Sequence, residues 1–162
     1  GIHLLNLVRR DEAVQELIDL GVENVLSTSD ADWQQKAREM MGKAGATSAI
    51  DSVGGDVSAD LVELLGLDGE LIVFGTATGA PMPLSSGSLI MKHITVKGFW
   101  GSRVSSEMDP DERKRLITEL VTLTATGKLA LEDGGVFSIN QISAALKAAL
   151  TPGRAGKVMI SG

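Results

Sequence analysis

Short apolar segments alternate with longer amphipathic ones over the first hundred residues, and this alternation constrains the fold more than any other feature. Each apolar segment is short and ends at glycine or polar residues, which is typical of buried strands. The order strand, helix, strand at this spacing predicts right-handed crossovers in a doubly wound parallel α/β sheet. Five strands are predicted, at residues 2–8, 22–27, 47–53, 70–74 and 94–100.

The helices between these strands are predicted from their cap residues and their apolar spacing. We expect the first helix to have Asp11 as its N-cap, the second Asp32, and the third either Asp56 or Ser58. The predicted helices cover residues 11–20, 32–45, 57–67 and 85–91.

The pattern changes after residue 100, where an α+β segment is predicted. Asp109 followed by Pro110 indicates an N-cap with proline at the first helical position, and this helix should run to about residue 126. Short strands are expected at 129–131, 135–138 and 157–160. Between the last two, Asn140 should cap a helix over 141–150 that ends before Pro152-Gly153.

Composition excludes several classes of function. A net charge of −6 disfavours general binding to nucleic acid or anionic membranes. The apolar segments are far shorter than the roughly 18 residues of a membrane span. With no cysteine and only two histidines, we expect no protein-held metal. The first residues lack the order of a signal peptide, so a cytoplasmic protein is expected.

Candidate site residues follow the strands, because ligands of open parallel sheets bind beyond the carboxyl ends. Those ends are residues 9–10, 27–29, 52–55, 75–77 and 100–102, which are glycine-rich, small or polar. Turns between strands and helices often use such residues with no function. Five such ends together, one with an arginine pair, favour a site.

Arg9 and Arg10 suggest a preference for a phosphorylated cofactor. If the opening strand is the second strand of a dinucleotide fold, arginine there accommodates the 2′-phosphate of NADPH, where an acidic residue would bind NADH. The alternative is a surface ion pair with Asp11 or Glu12. No G-x-G-x-x-G occurs in the chain, so this interpretation requires a first strand and a glycine-rich turn before Gly1.

Four segments in order resemble a known superfamily: NLVRRDEAVQELIDLGVENVL, AIDSVGG, GELIVFG and ITVKGFWGS. They look like the cofactor-domain half of the medium-chain dehydrogenases/reductases, in the zinc-independent branch of quinone oxidoreductases and 2-enoyl thioester reductases. KGFW, the long helix after it and the terminal GKVMI are similar to the enoyl reductases in particular. The resemblance covers nearly all 162 residues.

The resemblance implies a domain organisation. Residues 1–128 would be a truncated Rossmann-type NADP-binding domain, and residues 129–162 would belong to the GroES-like substrate domain. The family's amino-terminal substrate domain, its proton-donating tyrosine, the first strand and the glycine-rich loop would precede Gly1. Since the sheet order of such folds is 3-2-1-4-5-6, a gap of about 5 Å is expected where the first strand is missing.

The resemblance also implies roles for particular residues. The arginines would hold the 2′-phosphate, three residues after the fourth strand would approach the nicotinamide, and two aromatic residues would contact its carboxamide. A lysine near the end would approach the cofactor. No catalytic residue and no metal ligand is assigned. The residues so implied are Arg9, Arg10, Gly75, Thr76, Ala77, Phe99, Trp100 and Lys157.

The expected function is that of the carboxyl-terminal portion of an NADPH-dependent oxidoreductase, which reduces an activated C=C bond of an enoyl thioester, or a quinone. The isolated chain should be a poor catalyst, and whether it retains NADPH is left open. The resemblance implies a homodimer through the edge strand 94–100. The alternatives are a non-catalytic remnant that self-associates through this strand, and a nucleotide-binding module for another ligand.

Overall fold

The computed structural model describes residues 1–151, 153–154 and 156–162. It contains two compact units, Gly1–Gly101 and Ser102–Gly162. Both units combine helices with parallel strands, which confirms the predicted α/β class. Pro152, which was expected to end a helix, lies outside the described residues.

The first unit has the predicted alternation of strands and helices. Five strands and four helices follow one another in chain order. They are β1 (Asn6–Val8), α1 (Asp11–Asp19), β2 (Val25–Ser27), α2 (Trp33–Met41), β3 (Ala46–Asp51), α3 (Asp56–Leu64), β4 (Leu65–Val73), α4 (Ser86–Lys92) and β5 (Thr95–Gly98).

The strands of the first unit form two separate parallel sheets. β1 pairs with β2, so that Val8 lies opposite Ser27. β3, β4 and β5 form the other sheet in that order, and Val73 of β4 lies between Asp51 and Gly98. Within the described residues β1 and β3 do not pair with each other. Each is therefore an edge strand of its own sheet, with one side that has no hydrogen-bonded partner strand.

Helix α3 connects the two sheets through side-chain packing. Its Leu64 packs with Trp33 and Ala37 of α2, in a cluster that also includes residues of β1 and β2. Its Val62 packs instead with Leu65 and Leu71 of β4. One short helix therefore contributes to both cores, and the sheets need no shared hydrogen bonds to stay in one compact unit.

Several predicted boundaries are wrong in the first unit. The N-cap of α1 is Arg10, and that of α3 is Gly55, neither with a side-chain cap bond. The third helix ends at Leu64, three residues earlier than predicted, because Leu65 already pairs with Ala46 of β3. Ser58 does not cap α3, since its side chain is buried against β3.

The second unit contains the predicted long helix and a small parallel sheet. Asp109 caps α6 (Pro110–Ala125) by accepting the N–H groups of Asp111 and Glu112. β6 (Asp133–Ser138) pairs with β7 (Lys157–Ser161), and α7 (Ile142–Leu150) lies between them in the chain.

Three details of the second unit differ from expectation. A helix not predicted from the sequence, α5 (Gly101–Glu107), begins at the boundary of the units. Residues 129–131 form no strand. Asn140 does not cap α7, because it lies in a 3₁₀ turn, Ile139–Gln141, that Ser138 and Gln141 close with a reciprocal capping box.

Candidate functional site

The carboxyl ends of β3 and β4 form two turns that are hydrogen-bonded to each other. The N–H of Ala77 donates to the carbonyl of Ser52 at 3.2 Å. The N–H and the hydroxyl of Thr78 both donate to the carbonyl of Val53, at 3.0 and 3.1 Å. Residues 52–55 and 75–78 therefore form one backbone surface, which is the position where ligands of parallel sheets bind.

Gly75 allows the close approach of these two turns. A Cβ atom at this position would lie 2.7 Å from the carbonyl oxygen of Ser52 and 3.0 Å from its Cα. Side chains do not tolerate such contacts, and the atoms that would have to move belong to the backbone. Glycine is thus required at a position that the resemblance assigns to the nicotinamide side.

Aromatic residues follow the ends of β4 and β5. The N–H of Phe99 donates to the carbonyl of Val73 at 2.8 Å, which brings the end of β5 beside the end of β4. Phe74, Phe99 and Trp100 are 54%, 47% and 69% exposed. Three of the chain's five aromatic residues therefore lie exposed at the carboxyl edge of this sheet.

The two arginines after β1 differ in their contacts. A guanidinium nitrogen of Arg10 lies 3.6 Å from a carboxylate oxygen of Glu16, and both side chains are about half exposed. Arg9 has no ion pair within the described part of the chain. The surface-pair alternative thus applies to Arg10, with Glu16 as partner, and leaves the Arg9 guanidinium exposed.

The backbone of Arg9 is fixed from the neighbouring strand end. The hydroxyl of Ser29 donates to the carbonyl of Arg9 at 2.9 Å and also lies 3.2 Å from a carboxylate oxygen of Asp11. The N–H of Thr28 donates to the carbonyl of Val8 at 2.8 Å. The ends of β1 and β2 are therefore held together by hydrogen bonds, which fix the backbone position from which the Arg9 side chain extends.

Of the predicted site residues, those after β4 and β5 lie on adjacent strand ends of one sheet, whereas Arg9 and Arg10 follow a strand of the other sheet. Lys157 belongs to the second unit, where it starts β7 opposite Asp133. The sequence interpretation did not identify Asp51, a buried carboxylate that holds the turn of residues 52–55.

The described residues contain no group of three or more His, Cys, Asp or Glu placed to hold a metal ion. Among the described helices, none combines the length and the apolar composition of a membrane-spanning segment.

Two sheets of parallel strands, with polar and glycine-rich turns at their carboxyl ends, define a Rossmann-type α/β protein. The chain belongs to the zinc-binding dehydrogenase family, whose model matches residues 1–120, within the medium-chain dehydrogenase/reductase superfamily that it resembles. The name of the family implies zinc, but a chain without cysteine and without a metal-ligand cluster in its described residues does not fit that ion.

Similar curated proteins are reductases. The mitochondrial enoyl-[acyl-carrier-protein] reductase of Homo sapiens is 27% identical over 156 residues, which are 94% of this chain and 42% of that protein. The corresponding Caenorhabditis elegans protein is 30% identical over 138 residues, 82% of this chain and 39% of the relative. Quinone oxidoreductase-like protein 2 of Rattus norvegicus is 26% identical, over 93% and 43% of the two chains. The chain thus spans about two fifths of these relatives.

Solved structures agree on the fold. A candidate NADPH:quinone reductase of Mesorhizobium loti superposes with a TM-score of 0.79 at 25% identity, over 98% of this chain and 45% of the other. A mutant form of the enoyl thioester reductase of Candida tropicalis gives a TM-score of 0.78 at 18% identity, over 98% and 46%. The order of elements in this chain is therefore that of one part of a longer reductase fold.

Proposed function

We propose that this chain is the cofactor-binding portion of an NADPH-dependent oxidoreductase that reduces an activated C=C bond of an enoyl thioester, or a quinone. The observation that carries the proposal is the exposed guanidinium of Arg9 at the end of β1. The backbone carbonyl of Arg9 is held by the hydroxyl of Ser29, whereas the side chain of Arg10 forms an ion pair with Glu16. The names of similar proteins, both enoyl reductases and quinone oxidoreductases, support the type of reaction.

NADPH supplies the hydride when bound, and the residues of this chain supply binding and orientation. Arg9 would bind the 2′-phosphate, because guanidinium forms charge-assisted, bidentate contacts with phosphate oxygens. Arg10 would contribute less, since its charge is shared with Glu16. Gly75, Thr76 and Ala77 would offer backbone groups on the nicotinamide side. Phe99 and Trp100 would offer main-chain contacts to the carboxamide, and Lys157 stays a prediction of the resemblance.

The two open sheet edges support a further strand in the complete protein. In the order 3-2-1-4-5-6, β1 and β2 take the places of strands 2 and 3, and β3, β4 and β5 those of strands 4, 5 and 6. The vacant place is that of strand 1, between β1 and β3. Ile50 of β3 is 69% exposed, which is unusual for an isoleucine in a parallel strand and fits an element packed there in the longer protein.

The domain assignment is the one that the resemblance implies. Residues 1–128 would belong to the NADP-binding domain and residues 129–162 to the substrate domain of the longer protein. Without the remaining strands and the proton donor that the resemblance assigns to the missing part, the chain by itself should not turn over substrate. No catalytic residue is therefore assigned within it.

A homodimer through residues 94–100 is part of the proposal. Every residue of β5 is exposed, and within the described part of the chain this strand pairs only with β4, on one side. An edge strand of this kind pairs readily with a copy of itself. The same observation favours the second candidate function, a non-catalytic module whose role is self-association. A cytoplasmic location stays a prediction; the names of the enoyl reductase relatives place those proteins in mitochondria.

Turnover measurements test the proposal. The purified 162-residue chain is mixed with NADPH and a crotonyl thioester, or with NADPH and a quinone, and oxidation is followed at the nicotinamide absorbance. We expect no rate above background for the chain, and a rate for a longer protein that includes the preceding coding sequence. Rapid NADPH oxidation by the pure chain would contradict the truncation, and a longer protein inactive with both acceptors would contradict the proposed reaction.

A further inference from the structure

Asp51 is a buried acidic residue that the proposed function does not use. It ends β3, its side chain is 2% exposed, and both of its carboxylate oxygens are engaged. One oxygen accepts the N–H groups of Val53 at 2.7 Å and Gly54 at 3.2 Å. The other accepts the hydroxyl of Ser58 at 2.6 Å.

These contacts tie the first turn of the site to the helix that follows it. Val53 and Gly54 lie in the turn after β3, and Ser58, which is completely buried, lies in the first turn of α3. A buried carboxylate is costly unless its hydrogen-bonding capacity is used. Three donors from the six residues 53–58 satisfy this one, so the turn cannot change its conformation without leaving the carboxylate unpaired.

The turn of residues 52–55 also supports the turn of residues 75–78. Residues 75–78 are held on it by the bonds from Ala77 to the carbonyl of Ser52 and from Thr78 to the carbonyl of Val53. The carbonyl of Ser52 lies in the same peptide plane as the N–H of Val53, and the carbonyl of Val53 lies in the same plane as the N–H of Gly54. Because Asp51 accepts both N–H groups, it sets the direction of both carbonyls. A single side chain therefore controls the geometry of the turn assigned to the nicotinamide side.

We propose that Asp51 is a positioning residue, whose carboxylate sets the conformation of residues 52–54 and, through them, of residues 75–78. Its importance for the cofactor rests on the proposed function, whereas its effect on the turns does not. The competing explanation is that the backbone sets the turn by itself, because Gly54 and Gly55 have φ values of 77° and 67° that glycine adopts freely.

Amide hydrogen exchange on the ¹⁵N-labelled 162-residue chain separates the two explanations. The reporting amides are those of Val53, Gly54, Ala77 and Thr78. The reference amides are Thr28 and Phe99, which bond to the carbonyls of Val8 and Val73 at other strand ends. Relative to the reference amides, Asp51→Ala should accelerate exchange of the reporting amides by at least about tenfold, since each bond contributes about 1 kcal/mol.

Two milder variants keep the test decisive if Asp51→Ala does not fold. Asp51→Asn should keep the reporting amides within about twofold of the parent chain, because its carbonyl still accepts two N–H groups and its amide can donate to the Ser58 hydroxyl. Ser58→Ala should accelerate them by about three- to tenfold, the equivalent of one lost hydrogen bond. Ser48→Ala, on the exposed surface of the same strand, is the matched control and should change nothing.

Three results would overturn the proposal. One is unchanged exchange of Ala77 and Thr78 in Ser58→Ala. Another is acceleration in Asp51→Asn as large as in Ser58→Ala, and the third is equal acceleration of reporting and reference amides in every variant. Because no step uses NADPH, failure here is distinct from failure of the proposed function, which the turnover measurement reports.

Discussion

The hydroxyl of Ser29, at the end of β2, donates to the carbonyl of Arg9, at the end of β1, over 2.9 Å. This bond crosses between two strand ends and fixes the backbone of the one arginine after β1 that has no carboxylate partner among the described residues. The neighbouring Arg10 forms an ion pair with Glu16 of α1. Two adjacent residues of the same type are thereby given different environments.

This difference predicts different effects of the two arginines on cofactor binding. In the longer enzyme, Arg9→Ala removes a charge-assisted contact of about 1.5–3 kcal/mol, so the dissociation constant for NADPH should rise about 10- to 150-fold. Binding of NADH should be unchanged, because NADH has no phosphate at that position. Arg10→Ala is the matched control and should have a smaller effect. Equal small losses for both cofactors would assign Arg9 to the ordinary surface.

Gly75 predicts a steric effect that can be measured on the chain itself. Gly75→Ala places a methyl group 2.7 Å from the carbonyl oxygen of Ser52, and we expect a loss of about 1–3 kcal/mol in the free energy of unfolding. Gly87→Ala in α4, outside the proposed dimer interface, is the control, because a Cβ there meets only the hydroxyl of Ser85 at 3.5 Å, an ordinary contact. Urea unfolding of the two variants gives the comparison. Equal stability of both would show that the two turns can separate at little cost.

Asp60 predicts a stability change that depends on pH. Burial, and secondarily the charge of Asp56, raises the pKa of Asp60 above its usual value, and the hydrogen bond from Gln34 at 2.7 Å opposes this only in part. The folded state thus holds the proton more tightly than the unfolded state. This group therefore favours folding at low pH, and its contribution is lost as the pH rises through the ordinary range of aspartate and the raised value.

Asp60→Asn should accordingly stabilise the chain at pH 7 and have a smaller effect at about pH 3, where the carboxyl is protonated in both states. Gln34→Ala should destabilise it at pH 7, since it removes a donor to the ionised carboxylate. Thermal unfolding at the two pH values measures both. An identical gain for Asp60→Asn at pH 3 and pH 7 would contradict the assigned cause.

The exposed edge of β5 predicts the state of association. We expect a dimer by sedimentation velocity at micromolar concentration, and Val96→Asp should convert it to a monomer, because facing copies would bring like charges together. Val136→Asp, on a strand of the second unit, is the control and should leave the sedimentation coefficient unchanged. A parent chain that is monomeric at high micromolar concentration would be incompatible with this interface.

In the first unit the sequence was sufficient to predict that the strands and helices exist, but less so where they begin and end. In the second unit it did not predict α5, and it predicted a strand at 129–131 that does not form. The apolar segments before Arg9 and Gly75 do contain strands, but β1 covers only Asn6–Val8 of the predicted 2–8, and β4 begins at Leu65, five residues before the predicted start. The predicted end of α3 was wrong because Leu64 and Leu65 continue the same apolar pattern. Only the pairing of Leu65 with Ala46 shows that the strand begins at Leu65.

The candidate site was predictable in the same limited sense. Strand ends are visible in the sequence, so residues 52–55 and 75–77 could be singled out as turns at one edge. Asp51 was not singled out, because the sequence places it inside the predicted strand 47–53 and gives no sign of the partners that a buried carboxylate needs. Its burial depends on Ser58, seven residues later, whose hydroxyl reaches it only when α3 folds back against β3.

The separation of the first unit into two sheets also has a consequence for folding kinetics. Every strand pair in that unit joins strands that are consecutive in the chain, so each ladder closes a short loop at a small entropic penalty. Pairs of this kind can form independently, with α3 as the element that couples them afterwards. We therefore expect the β1–β2 ladder to exchange its amide hydrogens before the β3–β4–β5 ladder, through local opening at temperatures below the global unfolding transition.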